Sequence, residues 1–216
     1  MSSQAVQYID HMGSDASVVK AARVSFAGDN EVRAIEKDTK LLNYLAAHGH
    51  WSPYSHTAIT LRMTAPVPIR TQCFKHKVGF TENEESRRYV SYTPEYFIPT
   101  FRATASNKKQ GSGDTLDYQE HLQEKYKSLL DYVIGEYEQL LLDGVCEEQA
   151  RFLLPQGCMV NWYWTGSLSA FARFYKQRTD SHAQLEIQEL AKMVGDIIQP
   201  LYPISWAALT KESICT

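Results

Sequence analysis

The densest group of chemically active side chains lies in one segment, QCFKHKVGFTENEESRRYVSYTPEYFIP, at positions 72–99. Its cations and one hydroxyl are of the types that hold phosphates: Lys75, Lys77, Ser86, Arg87 and Arg88. Arginine binds a phosphate through two parallel hydrogen bonds, whereas lysine acts as a point charge. Such a run of charges is also typical of a solvated surface turn. The segment alone therefore predicts either an anion-binding site or a charged loop.

Three histidines, His48, His50 and His56, lie in the sequence HGHWSPYSH. Histidines two positions apart are able to ligate a metal. This spacing matches no tight zinc pattern, however, and no cysteine is nearby, so we predict no metal site. We expect His48 to lie near a helix C-terminus, where a protonated imidazole is favoured.

A third cluster, KQRTDSHAQLEIQ, places Arg178, Asp180, Ser181 and His182 just before or at a predicted helix start. Backbone N–H groups and the helix dipole favour an anion at such a position. Alternatively, Asp180 pairs with Arg178 and the cluster is an ordinary helix cap. Both interpretations remain open from the residues alone.

Other segments carry weaker signals. Arg151, in EEQARFLLP, is expected to pair with Glu147 or Glu148, because side chains three or four positions apart meet on a helix. We interpret the aromatic run WYW at 162–164 as core rather than as a stacking platform. The sequence contains no G-x-S-x-G, no G-x-G-x-x-G and no Walker loop, which argues against α/β-hydrolase, Rossmann and P-loop sites.

Hydrophobic periodicity predicts four helices, at about 17–25, 31–47, 115–142 and 181–198. In the third helix, apolar side chains recur at steps of three and four: Leu122, Tyr126, Leu129, Val133, Tyr137 and Leu140. The last helix is expected to begin at a capping box of Ser181 and Gln184. Its buried stripe is predicted to be Ile187, Leu190, Ala191, Val194 and Ile198.

Three segments are predicted as strands, at 57–64, 88–92 and 159–166, because they alternate in polarity or are rich in β-formers. Helices outnumber strands and do not alternate strictly with them. We therefore predict an α+β fold with a small mixed or antiparallel sheet. The chain is expected to be a single domain, 1–216, with a flexible loop at 103–113.

Composition narrows the class of protein. The chain has 216 residues, 44% of them hydrophobic, and a formal net charge of -3, which argues against a strongly basic fold that coats nucleic acid. No stretch reaches 18 apolar residues and no signal peptide is evident, so we expect no membrane segment. The four cysteines are far apart, which suits a reducing, cytoplasmic environment.

Together these stretches resemble one family, the flavin-dependent thymidylate synthases. The family signature is R-H-R, a spacer of seven and S; here it reads Lys75-His76-Lys77 and Ser86, within NEESRRY at 83–89. Five more stretches match in the same order: AARVSF at 21–26, HGHxSPxxH at 48–56, YxFIP-like text at 96–99, ARxxLP at 150–155 and RxDSHAQxEIQ at 178–188. The match runs from about Asp10 to Ile198.

Departures from the family pattern fall in two places. Both signature arginines are lysines, and the spacer before Ser86 is eight residues, one longer than usual. Lysine keeps the charge but loses the two-pronged hydrogen bonding of arginine. Family members often have Asn, Arg and Asn where this chain has Ser167, Ser169 and Arg173. The contacts to the flavin are therefore expected to be rearranged in this chain.

The resemblance implies an α+β homotetramer whose active sites form where subunits meet. It implies that FAD is bound by Ser52, Lys75, His76, Lys77, Glu84, Ser167, Leu168, Ser169 and Arg173. It implies that dUMP is bound by Gln72, Lys75, Glu84, Glu85, Ser86, Arg87, Arg88, Arg151 and Arg178. Of these, Ser86, Arg88 and Arg151 are expected to take the phosphate.

The implied activity is the synthesis of dTMP from dUMP, in which methylenetetrahydrofolate supplies the carbon and NADPH supplies electrons through FAD. Arg178 is implied to be catalytic, since its charge would stabilise an anionic pyrimidine. His50 is implied to orient folate, flavin or a proton-relay water. Two alternatives remain: the same fold making a hydroxymethylated pyrimidine nucleotide, and a nucleic-acid-binding module that uses residues 75–92.

Overall fold

The computed structural model describes residues 2–26, 34–105 and 111–211. Within these ranges the strands are β1 (Ala5–Met12), β2 (Ala58–Pro66), β3 (Phe80–Glu84) and β4 (Met159–Gly166). They form one antiparallel sheet in the order β1-β2-β4-β3. The helices in the same ranges are α1 (Asp15–Arg23), α2 (Ile35–Ala47), α3 (Val67–Cys73), α4 (Gln119–Leu142), α5 (Glu147–Ala150), α6 (Leu168–Arg178), α7 (Leu185–Ile198) and α8 (Pro203–Thr210). The predicted α+β class with an antiparallel sheet is confirmed.

The two central strands carry the core face of the sheet. On β2, Ile59, Leu61 and Met63 are fully buried and alternate with less buried side chains, as predicted. On β4, Trp162 and Trp164 are buried while Tyr163 remains 47% exposed. The aromatic run is therefore core, as the sequence analysis interpreted it.

Helix α6 is fixed to this sheet by aromatic contacts. The rings of Phe171 and Phe174 meet the Trp164 ring edge-to-face at 5.3 and 4.9 Å, and Phe80 of β3 stacks on it at 4.2 Å. Aromatic pairs of this kind contribute about 0.5–1.5 kcal/mol each beyond the area that they bury. This packing sets the positions of both ends of α6, where Ser167 and Arg178 lie.

Helix α7 buries the predicted stripe: Ile187, Leu190, Ala191, Val194 and Ile198 are all inaccessible to solvent. The predicted stripe on α4 is wrong in part. Leu130, Ile134 and Tyr137 are buried there, whereas Leu129 is 56% exposed. A step of one residue turns a side chain by about 100° around the helix. Because α4 also carries apolar residues beside the face that is buried, the pattern alone did not identify the contact face.

Helix starts were predicted less well than helix ends. The last of the predicted helices, α7, begins at Leu185 with Gln184 as its N-cap, so the capping box at Ser181 does not form. The Asp180 carboxylate instead accepts a hydrogen bond from the His182 backbone N–H at 2.8 Å, and such local bonds compete with helix formation. The first helix begins at Asp15 and the long helix at Gln119 rather than Thr115. The predicted start of the second helix at 31 lies outside the described residues.

The predicted strand at 88–92 is wrong. Residues 87–89 form a turn, and the nearest strand is β3, which ends before this turn. The Arg88 side chain forms an ion pair with a carboxylate on another element. The alternation of polar and apolar residues there therefore belongs to a loop and not to a strand. Strands β1 and β3 and helices α3, α5, α6 and α8 were not predicted.

The predicted loop at 103–113 lies partly outside the described residues, at 106–110. Its described flanks are tied together: the Ala103 N–H donates to the Asp114 carbonyl and the Gly113 N–H donates to the Ala103 carbonyl, both at 2.8 Å. No helix among the described residues combines the length and apolar character that a membrane span requires.

Candidate active site

Arg178, predicted to lie just before or at a helix start, is the last residue of α6 and precedes α7, which begins at Leu185. Its Nε donates a hydrogen bond to His76 Nε2 at 2.9 Å, and one terminal nitrogen donates to the Gln72 carbonyl oxygen at 3.2 Å. The other terminal nitrogen lies 3.5 Å from the Gln72 side-chain oxygen. We refer to Gln72, His76 and Arg178 as the Arg178 cluster.

The alternative in which Asp180 pairs with Arg178 is wrong. The Asp180 carboxylate bonds the backbone N–H and the ring of His182, at 2.8 and 2.9 Å. Among the described residues no carboxylate forms an ion pair with Arg178. Its guanidinium is held by neutral groups, so its positive charge is not cancelled within the described chain.

His76 is a buried histidine, 8% exposed, in the loop between α3 and β3. Its ring meets Phe174 edge-to-face at 5.1 Å. Burial, together with the charges of Arg178 and Arg173, lowers its pKa from the ordinary value to about 4. The ring is therefore neutral near pH 7, and because Nε2 accepts from Arg178, the ring proton lies on Nδ1.

Gln72, in the last turn of α3, extends the Arg178 cluster toward α7. Its side-chain Nε2 donates to the Gln184 side-chain oxygen at 2.8 Å. The adjacent Cys73 is fully buried, and burial raises the pKa of its thiol to about 12. Cys73 is therefore a protonated core side chain and not a nucleophile.

A second group of predicted residues lines one cleft of about 330 Å³, which we call the Ser86 cleft. Five of its lining residues were predicted to bind dUMP: Glu84, Glu85, Ser86, Arg87 and Arg151. Ser86 lies beyond the end of β3, where the Glu85 N–H still donates to the Asn161 carbonyl of β4 at 2.9 Å. This hydrogen bond at the edge of the sheet thus places the following loop over the cleft.

Tyr92 holds two of these side chains. The Arg87 guanidinium carbon lies 4.3 Å from the centre of the Tyr92 ring, and Arg87 also donates to the Tyr92 carbonyl. The Tyr92 hydroxyl donates to the Glu85 carboxylate. Burial, followed by this bond to Glu85, raises the pKa of Tyr92. Glu85 and Arg87 are therefore fixed by one aromatic side chain that the sequence analysis did not single out.

Arg88 and Arg151 differ from their predicted contacts. The Arg88 guanidinium forms an ion pair with Glu148 at 3.1 Å and does not line the Ser86 cleft. Arg151 lines the cleft, and its Nε donates to the Glu148 backbone carbonyl at 3.3 Å rather than to a carboxylate. Arg151 thus keeps its charge for a ligand, while that of Arg88 is partly matched by Glu148.

Glu84, at the end of β3, forms an ion pair with Arg70 of α3, with 3.1 Å between Nε and Oε2. Burial raises the pKa of Glu84, and the Arg70 charge opposes that rise. Arg70 therefore helps to keep the carboxylate ionised beside the Ser86 cleft. Sequence reasoning missed Arg70 because its partner lies on a strand that was not predicted.

A second cleft, of about 420 Å³, lies at the N-terminus of α6, and we call it the Ser167 cleft. It is lined by three of the predicted flavin residues, Ser167, Ser169 and Arg173. Gly79, in the left-handed region at φ +80°, also lines it. A Cβ on Gly79 would lie 3.0 Å from the Ala170 Cβ, so the loop approaches the helix more closely than a larger residue allows.

The helix N-terminus in this cleft is partly capped by the chain itself. The Leu168 N–H donates to the Thr57 hydroxyl at 2.9 Å and the Ala170 N–H donates to the Ser167 hydroxyl at 3.2 Å. Further donors at this end of the helix are the hydroxyl of Ser169, which is 8% exposed, and the exposed Arg173, one nitrogen of which already donates to the Val78 carbonyl. Leu168 itself is buried, so it would meet a ligand through its backbone alone.

The lysines of the K-H-K segment are exposed. Lys77 pairs with Glu82 and lies over the Phe74 ring at 5.5 Å, whereas Lys75 forms no ion pair with any described residue. His50 and Ser52 are exposed in the loop after α2, and neither lines the two clefts. Trp51 between them does line the Ser167 cleft.

His48 is the C-cap residue of α2, as predicted. Its ring lies 4.1 Å from Tyr44 and 6.5 Å from His50, between ring centres. No group of three or more His, Cys, Asp or Glu side chains is arranged to hold a metal in the described ranges. One chain therefore collects most of the predicted residues into the Arg178 cluster and the two clefts. Outside them lie the surface residues His50, Ser52, Lys75, Lys77 and Arg88 and the buried Leu168.

Comparisons with known proteins identify the family of this chain. Residues 7–204 match the family described as thymidylate synthase complementing protein. A flavin-dependent thymidylate synthase from Thermotoga neapolitana is 36% identical over 206 residues, which cover 95% of this chain and 90% of that protein. The corresponding enzyme from Thermus thermophilus is 33% identical, covering 96% of this chain and 76% of its own.

The fold also matches a solved structure. The UMP/dUMP methylase PolB from Streptomyces cacaoi, solved with 5-Br dUMP bound, superposes with a TM-score of 0.89 and 29% sequence identity. The match covers 97% of this chain and 95% of PolB. Family match, identity and fold thus agree with the resemblance found in the sequence, and this chain belongs to the flavin-dependent thymidylate synthase family.

Proposed function

We propose that this chain is a flavin-dependent thymidylate synthase that converts dUMP to dTMP. Methylenetetrahydrofolate donates the carbon and NADPH the electrons, which pass through bound FAD. The observation that carries the proposal is the Arg178 guanidinium, held by neutral groups in a chain of this family. A cation without a carboxylate partner is available to stabilise negative charge on a pyrimidine.

The Ser86 cleft is the proposed site for the nucleotide phosphate. Arg87, Arg151 and the Ser86 hydroxyl line it, and a guanidinium donates two parallel hydrogen bonds to a phosphate. Glu84 and Glu85 lie in the same cleft and would repel a phosphate placed near them. They are better suited to accept hydrogen bonds from sugar hydroxyl or base N–H groups.

The residues of the Ser167 cleft fit part of an FAD molecule. Gly79 leaves room beside the helix, and Ser169 and Arg173 are donors for a diphosphate. A cleft of about 420 Å³ is near the lower end of the range that encloses a drug-sized ligand. The resemblance to the family, rather than the size of this open cleft, supports the proposal of a homotetramer with active sites shared between subunits.

When bound, FAD would supply the redox chemistry, and this chain would supply binding and charge. His76, Lys75, Lys77, Glu84 and Ser52 are the further residues proposed to contact it. Arg178 would polarise the uracil carbonyl and steady negative charge at N3. His50, exposed beside the Ser167 cleft residue Trp51, is proposed to orient folate, flavin or a water.

Product analysis tests the proposal. The purified protein would be incubated with dUMP, methylenetetrahydrofolate, FAD and NADPH, and the nucleotides identified by mass spectrometry. We expect dTMP. A hydroxymethylated nucleotide would instead support the alternative reaction, and a flavin-loaded protein that makes no new nucleotide would contradict the proposal. A parallel incubation with UMP tests whether this chain also accepts the second substrate that is named for PolB.

Two further measurements address the remaining proposals. Sedimentation in the presence and absence of FAD tests the homotetramer, and a monomer with full turnover would contradict shared sites. Oligonucleotide binding that falls steeply with salt would favour the nucleic-acid-binding module. We expect none, since Lys77 and Arg88 of the basic segment already pair with carboxylates. We also propose that the protein acts in the cytoplasm.

A further inference from the structure

We infer that His76 is a positioning residue, whose bare Nε2 holds the Arg178 guanidinium in its working orientation. This inference rests on the proposed function, because it gives Arg178 the task of meeting the pyrimidine. It assigns to His76 a role through Arg178, in addition to or in place of direct contact with the flavin.

The contact geometry is the first support. Arg178 Nε lies 2.9 Å from His76 Nε2, and an arginine nitrogen can only donate. Nε2 must therefore be unprotonated, which leaves the ring proton on Nδ1. Nε joins the guanidinium to the rest of the side chain. A hydrogen bond from Nε and a second one from a terminal nitrogen to the Gln72 carbonyl together fix the plane of the group.

The ring of His76 is itself held. It is 8% exposed and meets the Phe174 ring edge-to-face at 5.1 Å. Phe174 and Arg178 are four residues apart on α6, so their side chains share one face of that helix. The ring of this loop residue thus contacts two positions one turn apart on α6, which hold it beside Arg178.

The charge of the partner is the second support. A carboxylate in place of His76 would neutralise Arg178, whereas a neutral imidazole fixes the guanidinium without cancelling its charge. Burial and the nearby Arg178 and Arg173 charges lower the pKa of His76 to about 4, so it remains neutral at the pH of the cytoplasm. His76 therefore provides orientation and leaves the charge to the ligand.

Three variants test the role, each compared with wild type. His76→Leu removes the acceptor, His76→Gln places an amide oxygen near the position of Nε2, and His121→Gln is the matched control at an exposed histidine of α4. Flavin content, dUMP affinity and the single-turnover rate would be measured on each. Hydrogen bonds to charged groups predict a rate loss of about 10- to 100-fold in His76→Leu.

At equal flavin occupancy, the expected result is a slow His76→Leu variant, a His76→Gln variant that recovers most of the rate, and an unchanged control. Equal rate losses in both His76 variants at equal flavin occupancy would overturn the inference, because restoring an acceptor would then not restore the position of Arg178. A wild-type rate in His76→Leu would overturn it as well.

A measurement on the wild-type protein needs neither turnover nor a stable variant. Long-range ¹H–¹⁵N NMR correlations distinguish the two ring nitrogens, and the His76→Gln spectrum identifies the His76 signals among the seven histidines. We expect a proton on Nδ1 alone, with no titration between pH 7 and pH 5. A proton on Nε2, or a charged ring at pH 6, would contradict the inference even if the protein proved to have another activity.

Discussion

Two arginines near the start of α7 have opposite surroundings. Arg102 forms two hydrogen bonds with the buried carboxylate of Glu186, at 2.8 and 2.9 Å. Arg178 is held by His76 and by Gln72, whose side chain bonds Gln184 at the N-cap of the same helix. A buried carboxylate matches the charge of Arg102, while the neutral partners of Arg178 leave its charge unmatched.

The difference distinguishes a partly buried arginine that supports the fold from one that is available to a ligand. The Arg102 and Glu186 side chains are 15% and 8% exposed. Their ion pair therefore offsets the free energy that each charge loses when it is removed from water. The Arg178 guanidinium has fixed geometry but no anion among the described residues, and an anionic ligand would complete its surroundings. The predictions below test this division.

The largest effect is expected from Arg178→Ala. Loss of one group that stabilises developing charge typically lowers a rate by about 10²- to 10³-fold. Because the same group meets the ground state, KM for dUMP should rise as kcat falls. Flavin content should stay near wild type. Single-turnover kinetics on flavin-loaded protein measure this, and a normal rate would remove Arg178 from the mechanism.

The opposite pattern, a loss of stability without a loss of rate, is expected from Glu186→Ala. This change leaves Arg102 buried without its partner, which typically destabilises a protein by about 3–5 kcal/mol. The melting temperature should fall, while turnover per folded, flavin-loaded molecule should persist. Thermal unfolding and active-site titration separate the two, with Glu189→Ala, an exposed glutamate of the same helix, as the control. A rate loss without a stability loss would break the comparison.

A smaller effect is expected from Lys75→Arg combined with Lys77→Arg. A guanidinium can form two parallel bonds to a phosphate, so FAD should bind about fivefold more tightly. The gain should come mainly from Lys75, because Glu82 already pairs with Lys77. Titration with FAD of the double variant and both single variants measures it. Unchanged or weaker binding would mean that the longer spacer has adapted this segment to lysine.

The smallest effect is expected from the cysteines. Burial raises the pKa of Cys73 to about 12 and that of Cys158 to about 11, so both are thiols and poor nucleophiles at pH 7. Among the three described cysteines, exposed Cys146 should react first with iodoacetamide, without loss of turnover. Replacing all four cysteines by Ser or Ala should leave turnover intact in a folded variant. Inactivation traced to one cysteine, with flavin still bound, would contradict a mechanism without a protein nucleophile.

Elements that bury one regular stripe could be predicted from the sequence. The alternation along β2 and the stripe of α7 each depend on the polarity of neighbouring positions in one segment. Helix α6 could not be predicted in this way, because it buries six residues between 168 and 174 and exposes only Arg173 there. Its helical state depends on the sheet that it covers.

The candidate site shows the same division. The residue types, their order along the chain and the altered K-H-K segment are properties of the sequence, and they were enough to identify the family. The partner of each cation was not predictable from spacing. Arg178 lies two positions from Asp180 yet bonds His76, which is 102 positions away, because the packing of α6 on Trp164 brings these two side chains together. Only the tertiary structure decides which arginine meets a carboxylate and which keeps its charge, since that choice depends on distances set by the packed core.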